Sequence, residues 1–423
     1  MLLNRSFVML TLQVISVLLG LFTTYYIAKT VEPEQFSIFA IYNMIFTVVA
    51  TFSFIGFETE LSRNALKWIK ESSSELSEYT SMIFSYRSIS WLILFIPNFI
   101  YVYFVSQSSY AGHYLEYFVV FIFSSYFYSL TNGIVLILRG MDKYIVAMLI
   151  ALFSNVLVKF IAISIYFFNK SFDVYIMILS LFPILTTVIG VIYLRSFLNI
   201  KIRFDAKACI KKVKKVYRLG LSGYLSYFKH NLDQILMPLI LSAELLGTYA
   251  LCKNIELVAK QAIENIFDPL TQRFVLIKDN VREIHQYLNK LLRVNRFIFI
   301  LSLLFSIVIM LFINDILSLI EISNYPYIET LLGLSIFSQL VYLFVKVKYN
   351  YIYLMFRQEE ILKMDVVNSL MIIISMIVSI LIATSSVVNG AILLKVLLPL
   401  TMIISTLLFF KRHYNLENKN SLL

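Results

Sequence analysis

The sequence predicts an all-α integral membrane protein, with about twelve transmembrane helices in two six-helix lobes around a central cavity. Three observations predict it. Hydrophobic residues make up 60% of the 423 and charged residues 14%, with a mean hydropathy of +0.81. A soluble domain carries about 25% charged residues. Apolar runs of about 20 residues, each enough to cross a hydrocarbon core of roughly 30 Å, recur from end to end. These runs do not alternate in polarity, which excludes barrel strands. Helices remain, since they pair their backbone groups internally in lipid.

In order, the spans fall near residues 7–28, 36–57, 80–106, 115–138, 144–168, 174–194, 219–241, 244–267, 296–320, 326–349, 364–384 and 387–410. The first follows Arg5 and continues through Thr23, Thr24 and Tyr25 without a small-residue cleavage site. It reads as a retained span, not a signal peptide. With the N-terminus inside, the seven cytoplasmic segments hold 25 Lys or Arg, and the external loops hold two, Lys29 and Lys170. The positive-inside rule then puts both termini in the cytoplasm. The same bias accounts for most of the net charge of +11, so no nucleic-acid partner is called for.

The longest polar segment lies in the middle, at 201–218, and reads KIRFDAKACIKKVKKVYR. It separates an N-terminal lobe, 1–200, from a C-terminal lobe, 219–423, that ends in a short cytoplasmic tail. Behind Asp205 as N-cap, Cys209, Ile210, Val213, Val216 and Tyr217 recur on one helical face. Lysines 207, 211, 212, 214 and 215 fill the rest. This pattern describes a basic amphipathic helix on the anionic cytoplasmic leaflet; a solvated loop is the alternative. A faint repeat supports the division: Glu34-Gln-Phe-Ser-Ile-Phe-Ala-Ile opens the second span and Glu244-Leu-Leu-Gly-Thr-Tyr-Ala-Leu the eighth. Parallel repeats are common in secondary transporters.

Cofactor chemistry has no motif here. Cys209 and Cys252 are the only cysteines and the four histidines are scattered, so neither a disulfide framework nor a metal site is encoded. No glycine falls in a GxxxxGK(S/T) or GxGxxG pattern. The expectation is a protein without cofactor, metal or catalytic residues.

The informative residues are charges inside spans: Arg87, Lys159, Lys229, Lys253, Lys260, Lys395, Asp233, Glu256 and Glu264. A cation at mid-membrane costs roughly 2.5–3.5 kcal/mol on insertion scales, and such residues usually face a cavity or a partner. Lys159 and Lys260 are placed to snorkel. On the eighth span Lys253, Glu256, Lys260 and Glu264 stack on one face. On the seventh, Ser222, Ser226, Lys229, His230 and Asp233 do the same. The first span offers Gln13, Ser16, Gly20 and Thr24, and the second Asn43, Thr47 and Thr51. These four stripes suggest a water-filled cleft. Intrahelical pairs, Lys229–Asp233 and Glu256–Lys260, could instead make a static network. Arg87, Lys159 and Lys395 show no evident carboxylate partner, and that cationic excess favours an anionic ligand. Asp233, Glu256 and Glu264 are candidates for gating or proton coupling, since burial raises a carboxylate's pKa.

Several stretches carry a resemblance: Ala28-Lys-Thr-Val-Glu-Pro-Glu-Gln-Phe-Ser-Ile-Phe, Ile55-Gly-Phe-Glu-Thr-Glu-Leu-Ser-Arg, Leu138-Arg-Gly-Met-Asp-Lys-Tyr, Asn231-Leu-Asp-Gln-Ile-Leu and Leu245-Leu-Gly-Thr-Tyr-Ala-Leu. Together they resemble Wzx-type polysaccharide flippases of the multidrug/oligosaccharidyl-lipid/polysaccharide exporter superfamily. The resemblance covers length, span count and lobe division, on loose motifs. It implies a bacterial inner-membrane protein that moves undecaprenyl-pyrophosphate-linked oligosaccharide units for O-antigen or capsule assembly. The implied partners are that lipid-linked glycan, membrane lipid and other polysaccharide-assembly proteins. In such folds the first, second, seventh and eighth spans line the cleft. One departure is that Pro238 ends the seventh span, whereas the first span has no proline. Two rivals stay open. An O-antigen polymerase or ligase would want a large external loop with arginines, and a drug–cation antiporter of the same superfamily would want an acidic cleft.

Overall fold

The computed structural model describes residues 2–53, 73–110, 112–141, 143–205, 207, 209–211, 213, 221, 224–225, 231, 233–277, 280–322, 324–355, 358–383 and 386–420, and its regular elements are all helical. The helices are α1 (Leu2–Thr30), α2 (Pro33–Phe52), α3 (Ser73–Tyr110), α4 (Leu115–Gly140), α5 (Tyr144–Leu152), α6 (Val158–Asn169) and α7 (Phe172–Leu198). After a helical stretch at 233–240 come α8 (Ala243–Leu276), α9 (Val281–Leu311), α10 (Ile313–Leu319), α11 (Ile328–Met355), α12 (Gln358–Ala383) and α13 (Val387–Asn420). A π-helical turn, Phe153–Leu157, joins α5 to α6.

Among the described residues, eight helices are long and apolar enough to cross a membrane: α2, α3, α4, α7, α9, α11, α12 and α13. Helix α8 has 34 residues, but four charges in its middle keep its composition from marking it as a span. Local sequence explains several ends. Ser171 accepts a hydrogen bond from the Val174 amide at the start of α7. Asn280 accepts one from the Glu283 amide at the start of α9. Side-chain oxygens at these N-caps satisfy amides that the helix cannot.

Contacts divide the chain into two compact units, one of Met1–Thr30 with Ile38–Tyr224, the other of Val31–Ser37 with Leu225–Leu423. In the first, α4 packs against α3, α5 and α7, and α1 runs beside α5 and α6. Lipid tails are as apolar as leucine, so helices in a bilayer associate through close packing and polar contacts. Accordingly, Thr131 of α4 meets Thr186 and Thr187 of α7 at 3.2 and 2.9 Å. Ser124 donates to the Ser180 carbonyl. Gly190 admits the Ile134 side chain, which would lie 2.8 Å from an added Cβ.

The described part of the linker belongs to this first unit. Residues 201–205 run extended along α3, tied to a serine ladder at positions 77, 81 and 85. Ser81 accepts from the Arg203 amide at 2.8 Å and Ser85 from the Asp205 amide at 2.8 Å. The Lys201 amide reaches Ser77 at 3.3 Å. A helical turn follows, with the Cys209 amide bonded to the Asp205 carbonyl. Cys209 is fully buried in a core with Leu76, Tyr79, Ile134 and Leu194, and Val213 packs beside it. Ile210, expected on the same apolar face, points outward. The buried face of this turn therefore rests on protein. Residues 214–220 lie outside the described residues.

In the second unit α11 is central, packing on α8, α9 and α13, while α12 pairs with α13. Val31–Ser37 joins this unit through close approach. A Cβ at Gly247 of α8 would sit 1.9 Å from the Pro33 carbonyl oxygen. The Phe36 and Tyr325 rings meet edge-on at 6.0 Å.

Candidate functional site

Two polar helix faces meet inside the second unit. On α8, Lys253, Glu256, Lys260 and Glu264 follow one another at helical spacing. On α11, Ser335, Ser338, Tyr342 and Lys346 repeat that spacing. Residues three and four apart share a helix face, so each helix turns its polar stripe toward the other. Asp233, at the head of the stretch 233–240, and Lys395, from α13, complete the cluster.

The charges are paired between elements more than within them. Lys253 Nζ lies 2.8 Å from Asp233 Oδ2, which also accepts the Tyr249 hydroxyl at 2.5 Å. Glu256 stands between two ammonium groups, Lys395 at 3.3 Å and Lys253 at 3.8 Å. It also accepts the Ser338 hydroxyl at 3.0 Å. Lys395 donates to the Ser335 oxygen at 2.5 Å and sits 4.9 Å from the centre of the Tyr249 ring. Deeper along α8, Glu264 faces Lys260 at 3.9 Å and Lys346 at 4.0 Å, and accepts the Tyr342 hydroxyl at 2.7 Å. Both ammonium groups lie over the Tyr342 ring, at 5.5 and 5.4 Å.

An open cavity faces this cluster, lined among others by Asp233, Lys253, Glu256, Lys260, Gln339 and Lys395. Asp233 Oδ1 and Gln339 Oε1 are buried with no hydrogen-bond partner among the described residues. Four ammonium groups, of Lys253, Lys260, Lys346 and Lys395, stand against three carboxylates, of Asp233, Glu256 and Glu264. Such a site can exchange an internal carboxylate for an incoming anion, because each cation already sits where a negative oxygen is held.

The structure revises part of the pairing read from the sequence, while the expected Lys229–Asp233 pair falls on a residue outside the described ones. Lys395 has a carboxylate partner in Glu256. Asp233 is bonded to Lys253, twenty residues away. Lys260 pairs with Glu264, while Glu256 turns to Lys253 and Lys395. Lys346 was absent from the sequence-derived set, although its spacing from Ser335, Ser338 and Tyr342 was a readable signal.

Other candidates lie in the first unit. Arg87 is fully buried between α3 and α4, donating to the Ser129 carbonyl at 2.5 Å and its hydroxyl at 3.1 Å. Gly133 leaves it room, since an added Cβ would sit 2.8 Å from its Nε. Lys159 is half-buried on α6, just past the π turn, and Asn43 is half-buried on α2. Ser222, Ser226, Lys229 and His230 lie outside the described residues, as do the side chains of Gln13 and Ser16. No group of three or more metal-ligating side chains occurs among the described residues.

A family profile described as polysaccharide biosynthesis protein matches residues 2–268. The chain belongs to this polysaccharide biosynthesis protein family. Comparison with curated protein sequences gives no significant match. Among solved structures, "Lipid II flippase MurJ, inward closed conformation" matches with a TM-score of 0.75 at 15% identity, covering 96% of this chain and 87% of that one. An inward-facing multidrug resistance MATE family transporter of the MOP superfamily gives 0.70 at 14% identity, covering 98% and 99%. A MOP superfamily transporter from Pyrococcus furiosus, described by the reverse polarity of its binding pocket, gives 0.61 at 14% identity, covering 96% and 92%. This member of the polysaccharide biosynthesis family is therefore a multi-pass membrane protein with the fold of MOP superfamily transporters.

Proposed function

We propose that the protein is a flippase of the Wzx type in the bacterial inner membrane, with both termini cytoplasmic. It carries undecaprenyl-pyrophosphate-linked oligosaccharide from the cytoplasmic to the periplasmic leaflet by alternating access, for O-antigen or capsule assembly. Family membership and the shared fold support a transporter that serves polysaccharide assembly. The observation that carries the charge mechanism is the Lys253–Asp233 pair at 2.8 Å on the wall of an open cavity.

In this reading Lys253, Lys260 and Lys395 receive the pyrophosphate, joined by Lys229. Asp233, Glu256 and Glu264 hold the ammonium groups between cycles. Leaving a buried charge without a partner costs about 3–5 kcal/mol, so each lysine needs either its carboxylate or the substrate. The empty and loaded states then differ in their pairing, which supplies the differential affinity that alternation requires. Arg87, counted among the substrate-binding cations in the sequence, bonds the Ser129 carbonyl and hydroxyl through Nη1 and in this reading holds α3 to α4. Lys159 and Asn43 are assigned lesser roles along the path.

The expected result is that Lys229→Ala with Lys253→Ala abolishes surface glycan while the protein still inserts. Glycan of normal length and amount, at equal expression, would remove the charge mechanism. A drug–cation antiporter is the second reading, favoured by the MATE match. A cluster with one more cation than anion disfavours it, and efflux of a cationic dye by the wild type would reverse that order.

A further inference from the structure

Beside the charged cavity lies a second, mostly apolar one of about 340 Å³, walled by α8, α9 and α11. Ile255, Ala259 and Ala262 line it from α8, with Ile298 and Ser302 on α9 and Leu340 on α11. Two of its three serine hydroxyl groups are already engaged. Ser306 donates to the Ser302 carbonyl at 2.7 Å, and Ser335 accepts from Lys395. Apart from Glu256, Gln339 and the Ser302 hydroxyl, what it offers a ligand is hydrocarbon.

Two features say what occupies it. Glu256 and Gln339 line both this groove and the charged cavity, so one molecule with an anionic head and an apolar chain can fill both. Ala262 and Ile266 on its α8 wall are exposed, so the groove opens to the outside of this helix packing. Its α8 wall, from Ile255 to Phe267, runs for about 18 Å of helix axis, over half of a hydrocarbon core of roughly 30 Å. A chain segment fits there, not a whole polyprenyl tail.

We infer that the α8–α9–α11 groove seats the first isoprenoid units of the transported lipid while its pyrophosphate lies among Lys253, Lys260 and Lys395. This rests on the flippase reading and adds the place of the chain. Bulk lipid is as apolar as the groove, so burial alone gives no preference. The head must anchor the tail.

The test uses the full-length protein in detergent with two photoreactive probes of equal chain, benzophenone-bearing farnesyl pyrophosphate and benzophenone-bearing farnesol. Labelled residues are read by peptide mass spectrometry. The pyrophosphate probe is expected to label groove residues, inorganic pyrophosphate to suppress that labelling, and the alcohol to label them weakly. Filling the groove by Ala262→Trp, or by Ser302→Phe from the opposite wall, should cut labelling about tenfold, the size expected from losing some ten carbon–carbon contacts. Leu304→Trp, on an exposed position of α9 outside the groove, should leave it unchanged. Equal labelling by the alcohol, or no loss in either filled variant, would overturn the inference and mark a groove for ordinary lipid. Absence of inorganic pyrophosphate binding to the wild type would instead count against the flippase reading itself.

Discussion

Lys395 shows most sharply how a single residue is held here. Its ammonium reaches Glu256 at 3.3 Å and Ser335 at 2.5 Å, and is nearly sealed from solvent. Among the described residues, removing it leaves Glu256 with one ammonium partner, Lys253 at 3.8 Å, beside the Ser338 hydroxyl. Lys395→Met should therefore destabilise the protein by about 3 kcal/mol, the lower end for breaking a buried pair. Glu256→Gln added to it should recover part of that loss, because the stranded charge disappears. Thermal unfolding in detergent measures both, and equal loss in the single and double variants would show that the pair is not coupled. The stripe on α8 was legible in the sequence because helical spacing alone builds it. Its partners were not. Asp233–Lys253 and Glu256–Lys395 join residues 20 and 139 positions apart, and helical spacing says nothing about which elements meet. Local i,i+4 pairing was the wrong guide for Glu256 for that reason.

At the scale of elements, two devices hold segments that composition treats as loops. The first is the approach of Pro33 to Gly247, both in the second unit. Gly247→Ala places a methyl group 1.9 Å from a backbone oxygen, where no flexible side chain can yield. An overpacking cost of about 1–3 kcal/mol follows. A lowered melting temperature and less monodisperse protein should report it, and unchanged values would contradict the packing of this turn. The glycine stood in a stretch read as an internal repeat and as part of a family resemblance; its reason is steric. The second device is the serine ladder on α3 that ties down residues 201–205, with Cys209 buried beyond it. Burial, aided by Asp205, pushes the Cys209 thiol up to about 11 from its ordinary 9.0. The docked linker thus has its full advantage below pH 9, and loses it as pH rises toward 11. In a Cys252→Ser background, maleimide labelling at pH 7.5 should be slow, because the thiolate is the nucleophile. Ser81→Ala with Ser85→Ala should speed it, and fast labelling of the parent would mean the linker is not docked. The sequence showed an amphipathic pattern at 201–218 but could not distinguish a protein surface from a lipid one as its resting place.

For the whole molecule, the membrane class and most spans follow from apolar run length, which is a property of the chain alone. Helix α8 was read as a span despite its charges, and it is the helix that builds the site. That site lies in the second of two compact units, in a chain with the fold of MOP superfamily transporters. The central claim is that lysine ammonium groups, shielded by carboxylates at rest, receive a lipid pyrophosphate and allow it to cross. The most direct measurement is translocation of a fluorescent undecaprenyl-pyrophosphate-linked oligosaccharide in liposomes containing purified protein, comparing wild type with Lys253→Gln/Lys395→Gln at equal incorporation and intact fold. The account predicts transport by the wild type and a fall of about tenfold or more in the variant, as expected from losing a charged hydrogen bond of at least about 1.5 kcal/mol. Equal rates in the two proteins would contradict it.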